Sequence, residues 1–157
     1  MRRIVIGLTL VAGASALAAS SPALRLDRLA GRYSHVFTNG FVDGSKYRSE
    51  NVVEVRPVDA KHADVALSLE FYNGHSCWIE GRARVEGRKL VLRVADYDEE
   101  GGAPCKLELW TDRTRLHWSD GDNTCKAGCG ARGTFSKGSV LLSSKRKLPA
   151  QPLSPEG

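Results

Sequence analysis

The sequence contains no apolar run long enough to cross a bilayer comfortably. Its longest apolar stretch, residues 4–18, falls short of the roughly 20 apolar residues that a spanning helix needs, and it is rich in Gly, Ala and Ser. No cysteine precedes Cys77, so the N-terminal part of the chain lacks the thiol that bacterial lipoproteins acylate. We therefore expect no stable membrane anchor of either kind.

A strong excess of charge is also lacking. The chain has a formal net charge of +5, and removing Arg2 and Arg3 with the leader takes the basic count from 23 to 21 against 18 acids, so the charge falls to +3. Much of that remainder lies in the run from Lys145 to Lys147. The rest of the chain is close to neutral, which argues against a nucleic-acid partner.

The N-terminus is typical of an export signal. Arg2 and Arg3 precede the apolar stretch, and Ala16 and Ala18 fit an AxA cleavage pattern. Residues 1–20 are therefore predicted to be a signal peptide. The mature protein is expected in a periplasm or outside the cell.

The remaining chain divides into one domain and a tail. The last residues, "KLPAQPLSPEG", carry three prolines and no hydrophobic periodicity. Residues 145–157 are therefore predicted to be a disordered, basic and proline-rich tail. Residues 21–144 are long enough for a single domain with one core.

All four cysteines lie inside this domain: Cys77, Cys105, Cys125 and Cys129. An even number of cysteines in an exported chain indicates two disulfides, and four cysteines allow three pairings. The sequence favours Cys77 with Cys105 and Cys125 with Cys129, because Gly128 lets the chain turn tightly between the second pair.

The hydrophobic pattern predicts strands over most of the domain. Val65, Leu67 and Leu69 alternate with Ala66 and Ser68, and the same period of two recurs in later segments. Turn signals every 8 to 13 residues, roughly, indicate about eight or nine antiparallel strands in a meander. We predict an all-β fold, a small barrel rather than a sandwich because closure removes exposed sheet edges. A short helix, capped at Ser21 and ended by Gly31, is predicted to precede the first strand.

Three glycines near the C-terminal end of the domain have the spacing GxGxxG of a dinucleotide-binding turn: Gly128, Gly130 and Gly133. Such a turn lies between a strand and a helix, with an acid about 20 residues later. Here a strand, turn and strand pattern follows, and the only acid far downstream is Glu156. We predict no cofactor but a disulfide-tied corner whose glycines take positive φ or permit close packing. Arg132 within it is either structural or a partner contact.

Metal binding and thiol catalysis are alternative interpretations of the cysteines. Cys125, Cys129 and His117, with either His75 or Cys77, have the atom types of a zinc site. Disulfides are the more common use of cysteine in exported proteins, so we expect no metal. His75 also lies two residues before Cys77, but a cysteine held in a disulfide cannot act as a nucleophile.

Acidic residues in two turns suggest calcium binding or hydrolysis. Asp120, Asp122 and Asn123 begin like a calcium loop but lack its glycine at the sixth and glutamate at the twelfth position. Glycoside hydrolysis would need two carboxylates facing each other across a cleft, for which Asp96, Asp98 and Asp120 are the candidates. Solvated turns are the more common role of such acids.

Aromatic residues are predicted on the outer face of several strands. Tyr72, Trp78 and Trp110 alternate with the aliphatic residues of their strands and lie among charged side chains. Either long charged side chains cover these rings, or the rings dock a partner. Trp, Tyr and Arg are the commonest anchors of protein interfaces, so a protein partner is a clear hypothesis. The sequence does not decide between the two interpretations.

The stretches "NGHSCWIEGRARVEGRKLVLR", "PCKLELW" and "CKAGCGARGTF" resemble a group of small exported bacterial β-proteins, mostly uncharacterised. In that group an NGHxC strand, an EGxxLV hairpin and a final CxxxCGARG recur, and the likeness extends from Asn51 to Phe135. The group is in turn similar to periplasmic lysozyme inhibitors and related immunity proteins, which block a glycosidase cleft with a loop. The resemblance implies a calycin-like or lysozyme-inhibitor-like barrel.

Inhibitors of c-type lysozymes carry an SGxxY loop and a later SKG segment. This chain has "DGSKY" at Asp43 to Tyr47, which departs from that loop at its first residue, and "SKG" at Ser136 to Gly138. The two segments lie farther apart than in that family. The resemblance implies that Ser45, Lys46 and Lys137 enter a cleft, where a lysine beside two carboxylates would act as an electrostatic plug.

The predicted function is that of an exported partner-binding protein, an inhibitor of a lysozyme-type cell-wall hydrolase, rather than an enzyme. The predicted partner-binding residues are Ser45, Lys46, Tyr72, Trp78, Trp110, Arg132 and Lys137. The alternative is a small-molecule carrier that uses the barrel mouth. A carrier needs a cavity, whereas the predicted interior residues are mostly Leu, Val and Ile, which can fill a small barrel. A hydrolase is the third hypothesis.

Overall fold

A computed structural model describes residues 23–95 and 104–155 of the chain. The predicted signal peptide, the helix cap at Ser21, and Asp96 and Asp98 lie outside the described residues. Within those residues no helix has the length and apolar character needed to cross a membrane.

One short helix precedes eight strands in the described part of the chain. The elements are α1 Leu26–Leu29, β1 Gly31–Gly40, β2 Lys46–Pro57, β3 His62–Glu70, β4 Ser76–Glu86, β5 Lys89–Val94, β6 Cys105–Thr111, β7 Arg115–Ser119 and β8 Gly138–Leu141. Three single 3₁₀ turns lie at Tyr72–Gly74, Lys126–Gly128 and Leu142–Ser144. The helix is thus a single turn that starts later than the sequence predicts.

Every strand pairs antiparallel with the next, in the order β1 to β8. The two ends of the sheet approach each other, because Arg32 of β1 forms an antiparallel bridge with Arg146, which follows β8. The result is an all-β, nearly closed meander barrel, as the alternation and turn spacing predict.

The interior is filled by the apolar residues of the alternating pattern. Val53 and Val55 of β2, and Leu107 and Leu109 of β6, are fully buried in one contiguous cluster. Leu26 and Leu29 of α1 extend the cluster, which gives the single helical turn its function in the fold. Tyr33 lies in the same cluster and donates its hydroxyl to the Leu29 carbonyl at 2.8 Å, and burial raises the pKa of Tyr33 to about 12.

Two disulfides tie the barrel, and their pairing differs from the one that the sequence favoured. Cys77 bonds to Cys129 and Cys105 to Cys125. The favoured pairing is wrong because β5 separates the start of β4, with Cys77, from the start of β6, with Cys105. The 3₁₀ turn Lys126–Gly128 also sends Cys125 and Cys129 to different strands rather than toward each other. The bonds themselves indicate folding in an oxidising compartment.

The C-terminal segment lies along the outer face of β1 and β2, although its composition predicts disorder. Arg32 and Arg146 exchange backbone hydrogen bonds at 3.1 and 2.7 Å. Arg56 donates to the carbonyls of Pro149 and Gln151, which orders the following residues. Composition predicted disorder because the segment has little apolar surface to bury, but these contacts are made by its backbone.

Candidate binding surface

The connections after β1, β3 and β7 lie at the same end of the barrel, since consecutive hairpins of a meander alternate between its two ends. We call this the loop end. The β1–β2 and β3–β4 connections touch directly there, because the Val42 amide donates to the side-chain carbonyl of Asn73 at 3.3 Å. The β7–β8 connection joins them through the Gly130 amide, which donates to the Ser76 carbonyl at 2.8 Å.

Three aromatic rings bind the first two of these connections together. Phe41 and Tyr47 stack with their centroids 4.3 Å apart. The Tyr47 hydroxyl accepts a hydrogen bond from the Gly74 amide at 2.8 Å, and the Tyr72 hydroxyl donates to the Phe41 carbonyl at 3.1 Å. The rings therefore add to the Val42–Asn73 hydrogen bond and hold the two loops against each other.

The same residues also present apolar surface to solvent. Phe41 is 41% exposed, Val42 69% and Tyr72 45%. Single exposed apolar residues are ordinary, but three neighbouring ones on rigid loops are typical of a binding surface. Asn73, which follows Tyr72 and accepts the Val42 amide, adopts a left-handed backbone with φ 61°, which lets the β3–β4 connection turn tightly.

Arg132 adds a cation to this cluster. Its guanidinium carbon lies 5.7 Å from the centroid of the Tyr72 ring, within the range of a cation–π contact. The Arg132 loop is held by Lys126, whose ammonium donates to the carbonyls of Gly130, Ala131 and Gly133 at 2.9, 3.1 and 2.7 Å. Arg132 therefore lies on a fixed loop, where it contacts the Tyr72 ring and is also exposed to solvent.

The glycines of the GxGxxG spacing permit close packing at this corner. A Cβ at Gly133 would lie 2.6 Å from the Cys77 sulfur, and one at Gly130 would lie 3.1 Å from the Nδ1 atom of His75. Close packing, rather than positive φ, is thus the reason for glycine at both positions: Gly133 lies against the Cys77–Cys129 disulfide and Gly130 against His75. The 3₁₀ turn that ends at Gly128 leads into a loop and then β8, so the predicted disulfide-tied corner is confirmed.

Ser45 and Lys46 lie beside the aromatic cluster. The carboxylate of Asp43 accepts from the Ser45 hydroxyl at 2.6 Å and from its amide at 2.9 Å, which closes the turn and lowers the pKa of Asp43. Lys46 is the first residue of β2, pairs with Gly40 and is exposed. We call the group Phe41, Val42, Ser45, Lys46, Tyr72 and Arg132 the aromatic surface.

The structure places the other predicted binding residues elsewhere. Trp78 lies on the outer face of β4, in register with Ser68 of β3. Trp110 stacks on His117 of β7 at 5.5 Å, and the Lys89 ammonium lies 5.6 Å from its ring. Lys137 is exposed directly before β8. The long charged side chain of Lys89 therefore accompanies Trp110, while Tyr72 forms part of the exposed surface.

The structure also shows the environments of the four cysteines and of the turn acids Asp120 and Asp122. All four sulfur atoms are in disulfides, so none is a zinc ligand or a nucleophile. Asp120 is buried and its carboxylate accepts the Cys125 amide at 3.1 Å, whereas Asp122 is exposed. Asp120 thus organises the turn that leads to the Cys105–Cys125 disulfide.

Three residues of this end were missed by sequence reasoning. Phe41 and Val42 were assigned only to a turn, although two consecutive apolar residues within "TNGFVDGS" are a signal of exposed apolar surface. Lys126 gave no signal, because a lysine that binds three carbonyls of its own loop looks like any surface lysine in sequence.

Comparisons with protein-family models, with curated proteins and with solved structures found no match to this chain.

Proposed function

We propose that this protein is an exported binding protein, acting in a periplasm or outside the cell, which docks a protein partner through the aromatic surface. The observation that carries the proposal is the exposed group of Phe41, Val42 and Tyr72, covered on one side by the fixed cation Arg132. Aromatic residues and arginine are enriched at interface centres, where rigid anchors lose little entropy on binding.

The rigidity of the loop end supports a binding function. A disulfide joins Cys77 to Cys129, and Lys126 holds the Arg132 loop by three hydrogen bonds. Preorganised loops reduce the cost of ordering that association requires. The leader and the two disulfides support an oxidising, extracytoplasmic location.

The partner that we propose is a lysozyme-type cell-wall hydrolase. Its cleft carries two carboxylates that flank the scissile bond, so a cation inserted between them would meet complementary charge. Lys46 and Arg132 are two exposed cations on this surface, at the edges of an apolar patch of a kind that fits a cleft wall. Ser45 lies beside Lys46 in the loop that resembles the inhibitors' cleft-entering loop.

The test is inhibition of muramidases by the purified mature protein, measured as the rate of cell-wall lysis. We expect inhibition at micromolar protein, and at least a tenfold loss of potency in Lys46→Ala and in Arg132→Ala, as interface hot spots show. Arg113→Ala is the matched control, since Arg113 is an exposed arginine in the β6–β7 turn at the opposite end of the barrel. Its potency should equal that of the unaltered protein.

Failure to slow any muramidase would remove the inhibitor function. Partner binding would then be tested by capture from the native periplasm with the unaltered protein and with Tyr72→Ala. A captured protein that Tyr72→Ala retains equally would contradict docking through the aromatic surface.

A further inference from the structure

The C-terminal segment is held on the barrel almost entirely through its backbone. The Arg56 guanidinium donates to the Pro149 carbonyl at 2.9 Å and to the Gln151 carbonyl at 3.0 Å. The Leu153 amide donates to the Oε2 atom of Glu54 at 3.2 Å. The three contacted residues alternate along the segment, and the chain bends at Ala150 and Gln151, so all three reach the single Arg56–Glu54 pair.

The pair that holds the segment belongs to the barrel itself. The Glu54 carboxylate is 1% exposed and bonds to Arg32 at 2.9 Å and to Arg56 at 2.8 Å. A buried carboxylate needs such partners, since an unpaired one would be costly. The two arginines therefore fix Glu54 on the outer face, where it offers one acceptor for a peptide amide while Arg56 offers donors for peptide carbonyls.

The three prolines of the segment fit this mode of binding. Proline has no amide hydrogen, and the bonds made here use the carbonyls of Pro149 and Gln151 and the amide of Leu153. Pro152 lies between the contacted residues Gln151 and Leu153. The bonds to Arg56 and Glu54 do not require an amide hydrogen at Pro152. Proline also restricts the backbone before binding, so less entropy is lost on docking.

The outer face has more room than the segment fills. A groove of about 600 Å³ lies between residues 149–155 and the strands, and its floor includes Val52, Ser68 and Trp78, which are cross-strand neighbours. A second cavity of about 480 Å³ borders Pro152, Ala66 and Glu80. Peptide side chains larger than those of the segment could therefore be accommodated beside the same backbone contacts.

We propose that this outer face of β2, β3 and β4 is a binding site for a proline-containing peptide that bends as residues 149–153 do, and that residues 149–155 occupy it as a ligand in cis. We call it the tail groove. Recognition is by the peptide backbone at alternate residues, with space on either side for side chains. The partner is a chain with a similar proline-containing segment, and it must compete with a tethered ligand whose effective concentration is on the order of millimolar.

The test uses full-length mature protein and a labelled peptide with the sequence of residues 149–157. Leu153→Pro removes the amide that donates to Glu54 while leaving the carbonyls of Pro149 and Gln151 in place, so it should weaken the tail in cis. We expect it to bind the free peptide at least tenfold more tightly than the unaltered protein does. Ser154→Pro is the matched control, since its amide is not among the contacts to Glu54, and its peptide affinity should stay close to that of the unaltered protein.

A second variant tests the receptor side. Arg56→Lys keeps a positive charge beside Glu54, but an ammonium has three donors whereas the guanidinium makes four bonds to Glu54, Pro149 and Gln151, so in the Leu153→Pro background it should weaken peptide binding about tenfold or more. Concentration-dependent dimers that the free peptide dissociates would also support the groove, with a second copy as the source of the segment. Equal peptide binding by Leu153→Pro and the unaltered protein, or binding that Arg56→Lys leaves unchanged, would overturn the proposal.

Discussion

The guanidinium of Arg132 lies over the ring of Tyr72, 5.7 Å from its centroid, and so joins the β7–β8 connection to the β3–β4 connection. An exposed contact of this type contributes only about 0.5–1 kcal/mol by itself. The position of the Arg132 guanidinium therefore depends on the loop that carries it. That loop is fixed by the Cys77–Cys129 disulfide and by the ammonium of Lys126.

Lys126→Met should loosen the Arg132 loop without replacing any residue of the aromatic surface. The substitution leaves three carbonyls without their charged donor, so we expect a loss of about 1–3 kcal/mol in unfolding free energy, measured by urea denaturation. It should also weaken partner binding in the direction of Arg132→Ala. Lys137→Met is the control, an exposed lysine in the same connection, and should change stability little. Equal stabilities of the two variants would contradict the role of Lys126.

Asp112 should contribute stability that depends on pH. Its carboxylate accepts the Thr114 and Arg115 amides at 2.7 Å, and His117 lies 2.7 Å away; these contacts, with the Thr114 bond the largest, lower the pKa of Asp112. The contribution is therefore present above the unfolded-state pKa of about 3.9 and is lost as pH falls toward the lower folded-state pKa.

The measurement for Asp112 is the urea midpoint of the unaltered protein and of Asp112→Asn, followed from about pH 6 to about pH 2.5. The advantage of the unaltered protein should shrink as the solution becomes acidic. Asp122→Asn makes the same charge change at an exposed aspartate and should show less pH dependence. A difference for Asp112→Asn that stayed constant over this range would show that its ionisation does not matter.

Glu54→Gln should destabilise the barrel and release the C-terminal segment. The amide nitrogen of glutamine is a donor, and it would face donors of Arg32 or Arg56 in place of an ionised oxygen. We expect a loss of about 2 kcal/mol by urea denaturation and faster proteolysis of the segment. Glu50→Gln, on the same strand but exposed, is the matched control. Unchanged proteolysis in Glu54→Gln would contradict the part of Glu54 in holding the segment.

The fold was predictable because a period of two in hydrophobicity depends only on neighbouring residues. The pattern around Val53 and Val55 correctly assigned the inner face, and it placed Glu54 outside without indicating that the C-terminal segment covers it. The disulfide pairing was not predictable, because it depends on which strands bring sulfur atoms together. The aromatic surface was predictable only in part: Tyr72 and Arg132 were candidates, but their contact crosses 60 residues of sequence and is made by packing alone.

Gly138 shows that a residue of the resemblance motif can have a purely structural reason. A Cβ at Gly138 would lie 2.2 Å from the Cε2 and Cζ2 atoms of Trp118, its cross-strand partner on β7. The indole is 3% exposed, so it has little room to move away. The glycine of "SKG" is thus required by the packing of Trp118 against β8, whatever the adjacent Lys137 does.

Gly138→Ala should accordingly cost about 1–3 kcal/mol in unfolding free energy, the usual range for overpacking a core. The tryptophan emission of the folded protein should shift at the same time, because Trp118 must leave its buried position for the methyl group to fit. Lys137→Ala, one residue earlier and exposed, should alter neither the urea midpoint nor the emission. If Gly138→Ala were as stable as Lys137→Ala, the indole would have to be free to shift, and the SKG glycine would need another explanation.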